Sequence, residues 1–280
     1  MNLSVSESDA RSITVDGLLT HYFDVGQGQP VVLLHGSGPG VSAYANWGSL
    51  IGELARDFRV LAFDMPGFGK TQRMENGYSV PAWCKHLLGF LEALDLRAAT
   101  LVGNSLGGSI ALAAAATDFS RIARLVLMGT PCGRFEVTPA LRAGRVYDGS
   151  QASMRQVLEM FPHDKSLVTE SMVQSRWQAG QEPGALEAFK SLVPDEPGSD
   201  GAPVTVSGVP EKIVARLSQP ILVLHGREDE VVPSELGLRI HRAAQNSEFH
   251  SFSGCGHWVQ LERREGFLEL TRNFAKAGKP

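Results

Sequence analysis

Apolar positions along the chain alternate between two rhythms. Short unbroken runs at 31–34, 59–63, 99–102, 125–128 and 220–226 predict buried strands. Between them, 47–56, 80–94, 108–116 and 234–244 carry apolar residues at the three-and-four spacing of helices. Near the start, strands at 12–15 and 19–25 flank Asp16-Gly17, a hairpin signal, and 248–253 predicts a last strand. Strands alternating with helices imply a mostly parallel sheet joined by right-handed crossovers, an α/β fold. The rhythm breaks from about Gly133 to Pro203. No clear strand is expected there, only helices near 153–161 and 169–179, then a stretch at 180–202 rich in Gly, Pro and Asp. We read 133–203 as a helical cap inserted into an α/β core made of 1–132 and 204–280.

Length and charge narrow the class. The chain's 280 residues suffice for one large α/β domain with an insertion. A formal net charge of −4, with no basic cluster, argues against nucleic acid or an anionic membrane as partner. Residues 1–11 are polar and lack the apolar centre of a signal peptide, and no apolar run reaches the roughly 18 residues that span a bilayer. Cys84, Cys132 and Cys255 are odd in number, scattered and without metal-ligand spacing. They read as reduced thiols of a cytoplasmic protein, and packing is the expected role of Cys255.

The chemistry concentrates in three places. Gly103-Asn104-Ser105-Leu106-Gly107 joins a buried strand to a helix of small residues. A serine at such a corner is forced into strained backbone geometry that lifts its hydroxyl out of the sheet, and the flanking glycines avoid collisions. The helix's first amides, beginning with Leu106, lack intrahelical partners and can hold an oxyanion. Asp229 lies just past the 220–226 strand and His257 just past the 248–253 strand, where functional groups collect in parallel sheets. The order Ser105, Asp229, His257 is that of an α/β-hydrolase triad. His257, expected in an exposed and flexible loop, would take the serine's proton, and Asp229 would fix its tautomer. Glu228 rivals Asp229 within a charged run. His35 and His225 precede glycines at strand ends and are expected to support loops. The loop from His35 to Gly40 would supply the second oxyanion donor, the amide of Ser37. It lacks the spacing and lysine of a phosphate-binding loop.

These residues together resemble a known family. His35-Gly-Ser-Gly-Pro-Gly40, Asn46-Trp47, Gly103-Asn-Ser-Leu-Gly-Gly108, His225-Gly-Arg-Glu-Asp229 and Gly256-His-Trp258 are similar to motifs of the meta-cleavage product hydrolases. The likeness runs from about Gly26 to Phe274 and includes Asp164–Glu170 and Ser175-Arg176-Trp177 in the cap. The family cuts carbon–carbon bonds in 2-hydroxy-6-oxohexa-2,4-dienoates formed during bacterial degradation of aromatic compounds. The resemblance implies release of 2-hydroxypenta-2,4-dienoate and a carboxylic acid. It implies that Arg176, Asn46 and Asn104 bind the substrate's carboxylate and 2-oxo end, and that Trp258 packs beside the substrate. Ser37 stands where the family often has glycine. No metal or organic cofactor is expected, the partner is a small dienoate acid, and a homodimer or larger homo-oligomer is implied.

Rival readings use the same fold. A carboxylesterase or lactonase would share the triad without needing a charged anchor in the cap. A non-catalytic ligand sensor would turn over slowly or not at all. Haloalkane dehalogenases and epoxide hydrolases carry an aspartate where this chain has Ser105. The substituent at C6 and the choice between an acyl-enzyme and a gem-diol stay open at this level. The loop details lean towards monocyclic products, and Phe161, Met128, Met172, Val231 and Trp258 are candidate pocket walls.

Overall fold

The apolar runs form strands whose side chains leave both faces of one sheet, and both faces are covered. The computed structural model describes residues 4–75, 77–144, 147–191 and 203–276, so the 192–202 part of the Gly-, Pro- and Asp-rich stretch lies outside it. β1 (Arg11–Val15) and β2 (Leu18–Val25) form the expected hairpin. Asp16 (φ 48°) and Gly17 (φ 82°) occupy its two left-handed turn positions. β3 (Pro30–Leu34), β4 (Arg59–Phe63), β5 (Ala99–Asn104) and β6 (Ile122–Met128) follow, and two further strands come after the insertion, β9 (Ile221–Gly226) and β10 (Ser247–Phe252). The eight-stranded sheet runs β1-β2-β4-β3-β5-β6-β9-β10, antiparallel up to β4 and parallel beyond it.

Alternation along each strand feeds two cores. In β3, Val31 and Leu33 enter one while Val32 and Leu34 enter the other, and β5, β6 and β9 divide the same way. The first face is covered by α1 (Ala43–Leu54) and α11 (Arg264–Lys276) through Trp47, Leu50, Ile51 and Phe267. On α1 the buried Trp47, Leu50, Ile51 and Leu54 make one apolar stripe, each contributing roughly 1.5–3 kcal/mol. Packing therefore holds this helix, since propensity differences are only tenths of a kcal/mol. The opposite face is covered by α2 (Val80–Ala93), α3 (Leu106–Thr117), α8 (Glu211–Val214) and α9 (Ser234–Ala243).

The insertion lies between β6 and β9. It contains α4 (Pro139–Ala143), α5 (Gln151–Leu158), α6 (Glu170–Gly180) and α7 (Ala185–Lys190), with apolar packing among Met154, Leu158, Val173 and Phe189. The expectation that 133–203 holds no strand is corrected. β7 (Arg134–Glu136) pairs antiparallel with β8 (Thr205–Ser207) at the base of the insertion. Three residues with two exposed charged ends carry no readable alternation. Helix α1 also begins at Ala43 rather than 47, because Ser42 Oγ accepts from the Ala45 amide at 3.0 Å and caps it. Among the described residues no helix is long and apolar enough to cross a membrane.

Candidate active site

Ser105 sits at the corner between β5 and α3 with φ 53° and ψ −113°, a strained conformation for a residue bearing a Cβ. Its amide donates to Met128 O (2.7 Å) and its carbonyl accepts from Gly108 N (3.0 Å), which holds the corner from both sides. A Cβ on Gly103 would stand 2.5 Å from Gly108 N, so only glycine lets α3 start this close to β5. Ser105 is part-exposed, and its hydroxyl has no hydrogen-bond partner among the described residues.

Asp229 and His257 are brought together at the adjoining strand ends. His257 Nδ1 donates to Asp229 Oδ2 at 2.8 Å, which puts the ring's proton on Nδ1 and leaves Nε2 as the acceptor. Asp229 Oδ1 accepts from the amides of Val231 and Val232, both at 2.9 Å. Burial opposes the carboxylate's charge, yet His257 and His225 together hold its pKa well below the usual range. Glu228 is not part of this arrangement. Its carboxylate bonds to Arg227 and to the Cys255 amide instead. His225 and His35 are loop supports. His225 Nε2 donates to Val232 O (2.9 Å) and lies 3.3 Å from Asp229 Oδ2. The Met65 amide donates to His35 Nε2 (3.0 Å), so the ring's proton sits on Nδ1 and reaches Gly36 O (2.7 Å). Burial lowers the His35 pKa to about 4 and keeps it neutral.

The expectation of an exposed, flexible His257 is corrected: the residue is 2% exposed. Its amide donates to Phe161 O of the insertion at 2.8 Å. Glu262 Oε1 and Oε2 each accept from Gly256 N at 3.0 Å, and Oε2 accepts from His163 N at 2.7 Å. Glu262 thus ties the His257 loop to the insertion. Sequence reasoning missed it, since its role depends on a partner 99 positions away. Cys255 beside it is wholly buried, and burial pushes its thiol up to about 12, which keeps it from the thiolate form that reacts.

The arginine that the resemblance singles out lies on α6, within the insertion. Arg176 on α6 is 7% exposed, and no carboxylate or carbonyl among the described residues pairs with it. Its Nη1 is buried without a partner, and burial lowers its pKa to about 10. Gly40 (φ 62°) lets α6 descend here, for a Cβ would collide with the Arg176 carbonyl. Asn46 on α1 is buried with Nδ2 unpartnered, and it lines the same cleft as Arg176 and Trp258. Asn104 Nδ2 donates to His257 O at a long 3.5 Å, and its Oδ1 lies behind Gly36. Ser37 follows on the same loop, facing the elbow through Gly36, whose Cβ position is 3.5 Å from Ser105 Cβ. Phe161 stacks on Trp258 (5.3 Å between centroids, 6° between planes) and lies 5.7 Å from the His257 ring. Of the other candidate walls, Val231 packs with Phe161, Met172 packs in the insertion and Met128 is enclosed in the sheet core. Trp177 Nε1 donates to Gly149 O and serves packing within the insertion. No cluster of metal-ligating side chains occurs among the described residues.

Residues 29–264 match the α/β-hydrolase fold family. The chain is 42% identical over 275 residues to 2-hydroxy-6-oxo-2,4-heptadienoate hydrolase of Pseudomonas putida (strain F1), covering 98% of this chain and 99% of the relative. It is 39% identical over 265 residues to 2-hydroxymuconate semialdehyde hydrolase of Pseudomonas sp. (strain CF600), covering 94% and 93%. Among solved structures, the meta-cleavage product hydrolase CumD of Pseudomonas fluorescens IP01 superposes with a TM-score of 0.87 at 42% identity, over 98% of each chain. The chain belongs to the meta-cleavage product hydrolases, serine-dependent carbon–carbon bond hydrolases on the α/β-hydrolase fold.

Proposed function

We propose that this chain hydrolyses the C5–C6 bond of a 2-hydroxy-6-oxohexa-2,4-dienoate bearing a small C6 substituent, hydrogen or methyl. The products are 2-hydroxypenta-2,4-dienoate and the carboxylic acid formed from C6. The observation that carries this reading is Arg176, a buried cation with no anionic partner among the described residues. A ligand carboxylate repays that cost, and an ester hydrolase has no need of it. The small substituent is supported by relatives. Those named for heptadienoate and muconate semialdehyde substrates share 42% and 39% identity, against 32% for one named for a 6-phenyl substrate.

The residues take these roles. Arg176, Asn46 and Asn104 hold the carboxylate and 2-oxo end, with Trp258 as a wall. A proton moves from the 2-hydroxyl to C5, giving a 2-oxo-3-ene that can accept the electrons of the breaking bond. His257, oriented by Asp229, takes a proton from Ser105 or from water for attack on C6. The amides of Ser37 and Leu106 hold the oxyanion. When C5–C6 breaks, its electron pair flows to the 2-oxygen, which regains a proton, while C6 keeps the hydroxyl of water. Rapid-mix trapping of a Ser105 adduct separates an acyl-enzyme from a gem-diol, which use the same groups.

We assign 133–203 as the cap and expect a cytoplasmic homodimer or larger assembly. Buried free thiols at Cys84, Cys132 and Cys255 support the compartment, and sedimentation reads the assembly. The decisive test follows loss of dienolate absorbance with substrates bearing hydrogen, methyl or phenyl at C6. Fast decay with the first two supports the reading. No decay with any of them, alongside hydrolysis of simple esters, refutes it.

A further inference from the structure

A cleft of about 530 Å³ opens between α1, α6 and α10 (Val259–Glu262), and none of Ser105, Asp229 and His257 lines it. Its wall gathers buried polar atoms with no partner among the described residues: Asn46 Nδ2, Arg176 Nη1, and both Nε2 and Oε1 of Gln260. Gln260 is 1% exposed. Its neighbours Val259 and Leu261 serve apolar packing, which leucine or methionine would serve as well at 260. Buried polar groups are nearly always bonded, so an amide with neither end partnered among the described residues, lining one cleft with two other such donors, marks a place for a polar ligand.

The atoms specify the ligand's chemistry. Asn46 Nδ2, Arg176 Nη1 and Gln260 Nε2 are donors, which a carboxylate can satisfy. Gln260 Oε1 is the acceptor in the set, and a carboxylate has no proton for it. On the substrate reading above, on which this step rests, the dienoate carries one O–H group, the hydroxyl at C2 beside the carboxylate. We infer that Gln260 is a further substrate-binding residue that recognises the C2 oxygen. Its Oε1 accepts from the 2-hydroxyl of the enol. After the proton has moved to C5, its Nε2 donates to the 2-oxo group. An amide serves both forms of the substrate by presenting one end or the other, which neither a carboxylate nor an ammonium group does.

The test uses the full chain carrying Gln260→Leu, with Gln260→Met as a second variant that keeps the unbranched stem should leucine impair folding. Two inhibitors are titrated against hydrolysis of a neutral aryl ester: 2-hydroxypenta-2,4-dienoate and penta-2,4-dienoate, which lacks the hydroxyl. Loss of one hydrogen bond to a buried amide predicts about tenfold weaker inhibition by the hydroxylated acid. Inhibition by its deoxy analogue should change far less. Turnover of the dienoate substrate should fall by a larger factor than turnover of the ester. Equal weakening of both inhibitors, or equal losses on both substrates, overturns the inference. Failure of the wild-type protein to cleave any dienoate overturns the substrate reading itself, which is a different result from an active wild type indifferent to the change at 260.

Discussion

Replacing Arg176 by methionine is expected to make the protein more stable and the enzyme much worse. The guanidinium is buried with no partner among the described residues, and burial lowers its pKa from 12.5 to about 10. At 1.36 kcal/mol per pKa unit, (12.5 − 10) × 1.36 is about 3 kcal/mol held against the charged form. Methionine keeps much of the aliphatic stem's packing and removes the charge. After some loss of contacts, a net gain of about 1–3 kcal/mol is expected, and Tm should rise by roughly 2–8 °C. Activity should move the other way. A substrate carboxylate left without its cation loses about 2–5 kcal/mol, which is roughly 30- to 5000-fold in kcat/KM. Hydrolysis of a neutral aryl ester should fall by a much smaller factor. The assay pairs urea unfolding with kcat/KM on both substrates. A variant less stable than wild type by more than about 1 kcal/mol would show that Arg176 has a structural partner, and equal losses on both substrates would remove it from carboxylate binding.

Other outcomes follow from the same geometry. Ser105→Ala should cut dienoate turnover by at least about a thousandfold while substrate still binds, read by absorbance of the bound dienoate; near-normal turnover refutes the serine's role. Asp229→Asn should leave the fold intact but lower kcat by about 10³–10⁴-fold, because the His257 tautomer is no longer held; a loss under tenfold would contradict that dependence. Stability should fall on acidification from pH 6.5 to 4. His35 and His86 are buried, and burial lowers each pKa from 6.5 to about 4, so the unfolded chain binds more protons across that window. Each can cost up to about 3 kcal/mol by pH 4, and urea midpoints flat between pH 7 and 4.5 would refute this.

What the sequence made legible is what local physics dictates. Strands β3, β4, β5, β6 and β9 are buried on both faces, so each reads as an unbroken apolar run. The serine corner was readable because its geometry demands glycines at fixed offsets, and Asp229 and His257 because they follow strand ends. β7 and β8 were invisible, since three part-exposed residues pair only because the chain returns there about 70 positions later. Arg176 emerged only through resemblance. On its own it is an arginine on an amphipathic helix, and its burial depends on how α6 packs. Glu262 and Gln260 were unreadable for the same reason. One is defined by His163 and Gly256, the other by a cleft it shares with Asn46 and Arg176. The available signal for Gln260 was a polar residue between Val259 and Leu261.

The insertion is not a free lid, because its main chain is seated on the core at two points beside the chemistry. At one, Gly40 admits the Arg176 carbonyl against the loop that carries Ser37. At the other, Gly256 lies so close to the insertion that a Cβ would stand 2.6 Å from His163 N and from Phe161 O. The His257 amide donates to Phe161 O, and Glu262 closes the second seat from beneath. Neither glycine can be replaced without lifting the insertion. On the proposed reading, the substrate's carboxylate is gripped by Arg176 from the insertion while its C6 carbonyl is attacked by Ser105 from the core. The length of dienoate that fits between anchor and nucleophile is then set by the Gly40 seat. A substrate shorter by two carbons meets the anchor or the nucleophile but not both, so this site selects the bond to be cut by distance. An ester without a carboxylate is spared that selection, so its turnover reports the attack on the carbonyl without the anchor.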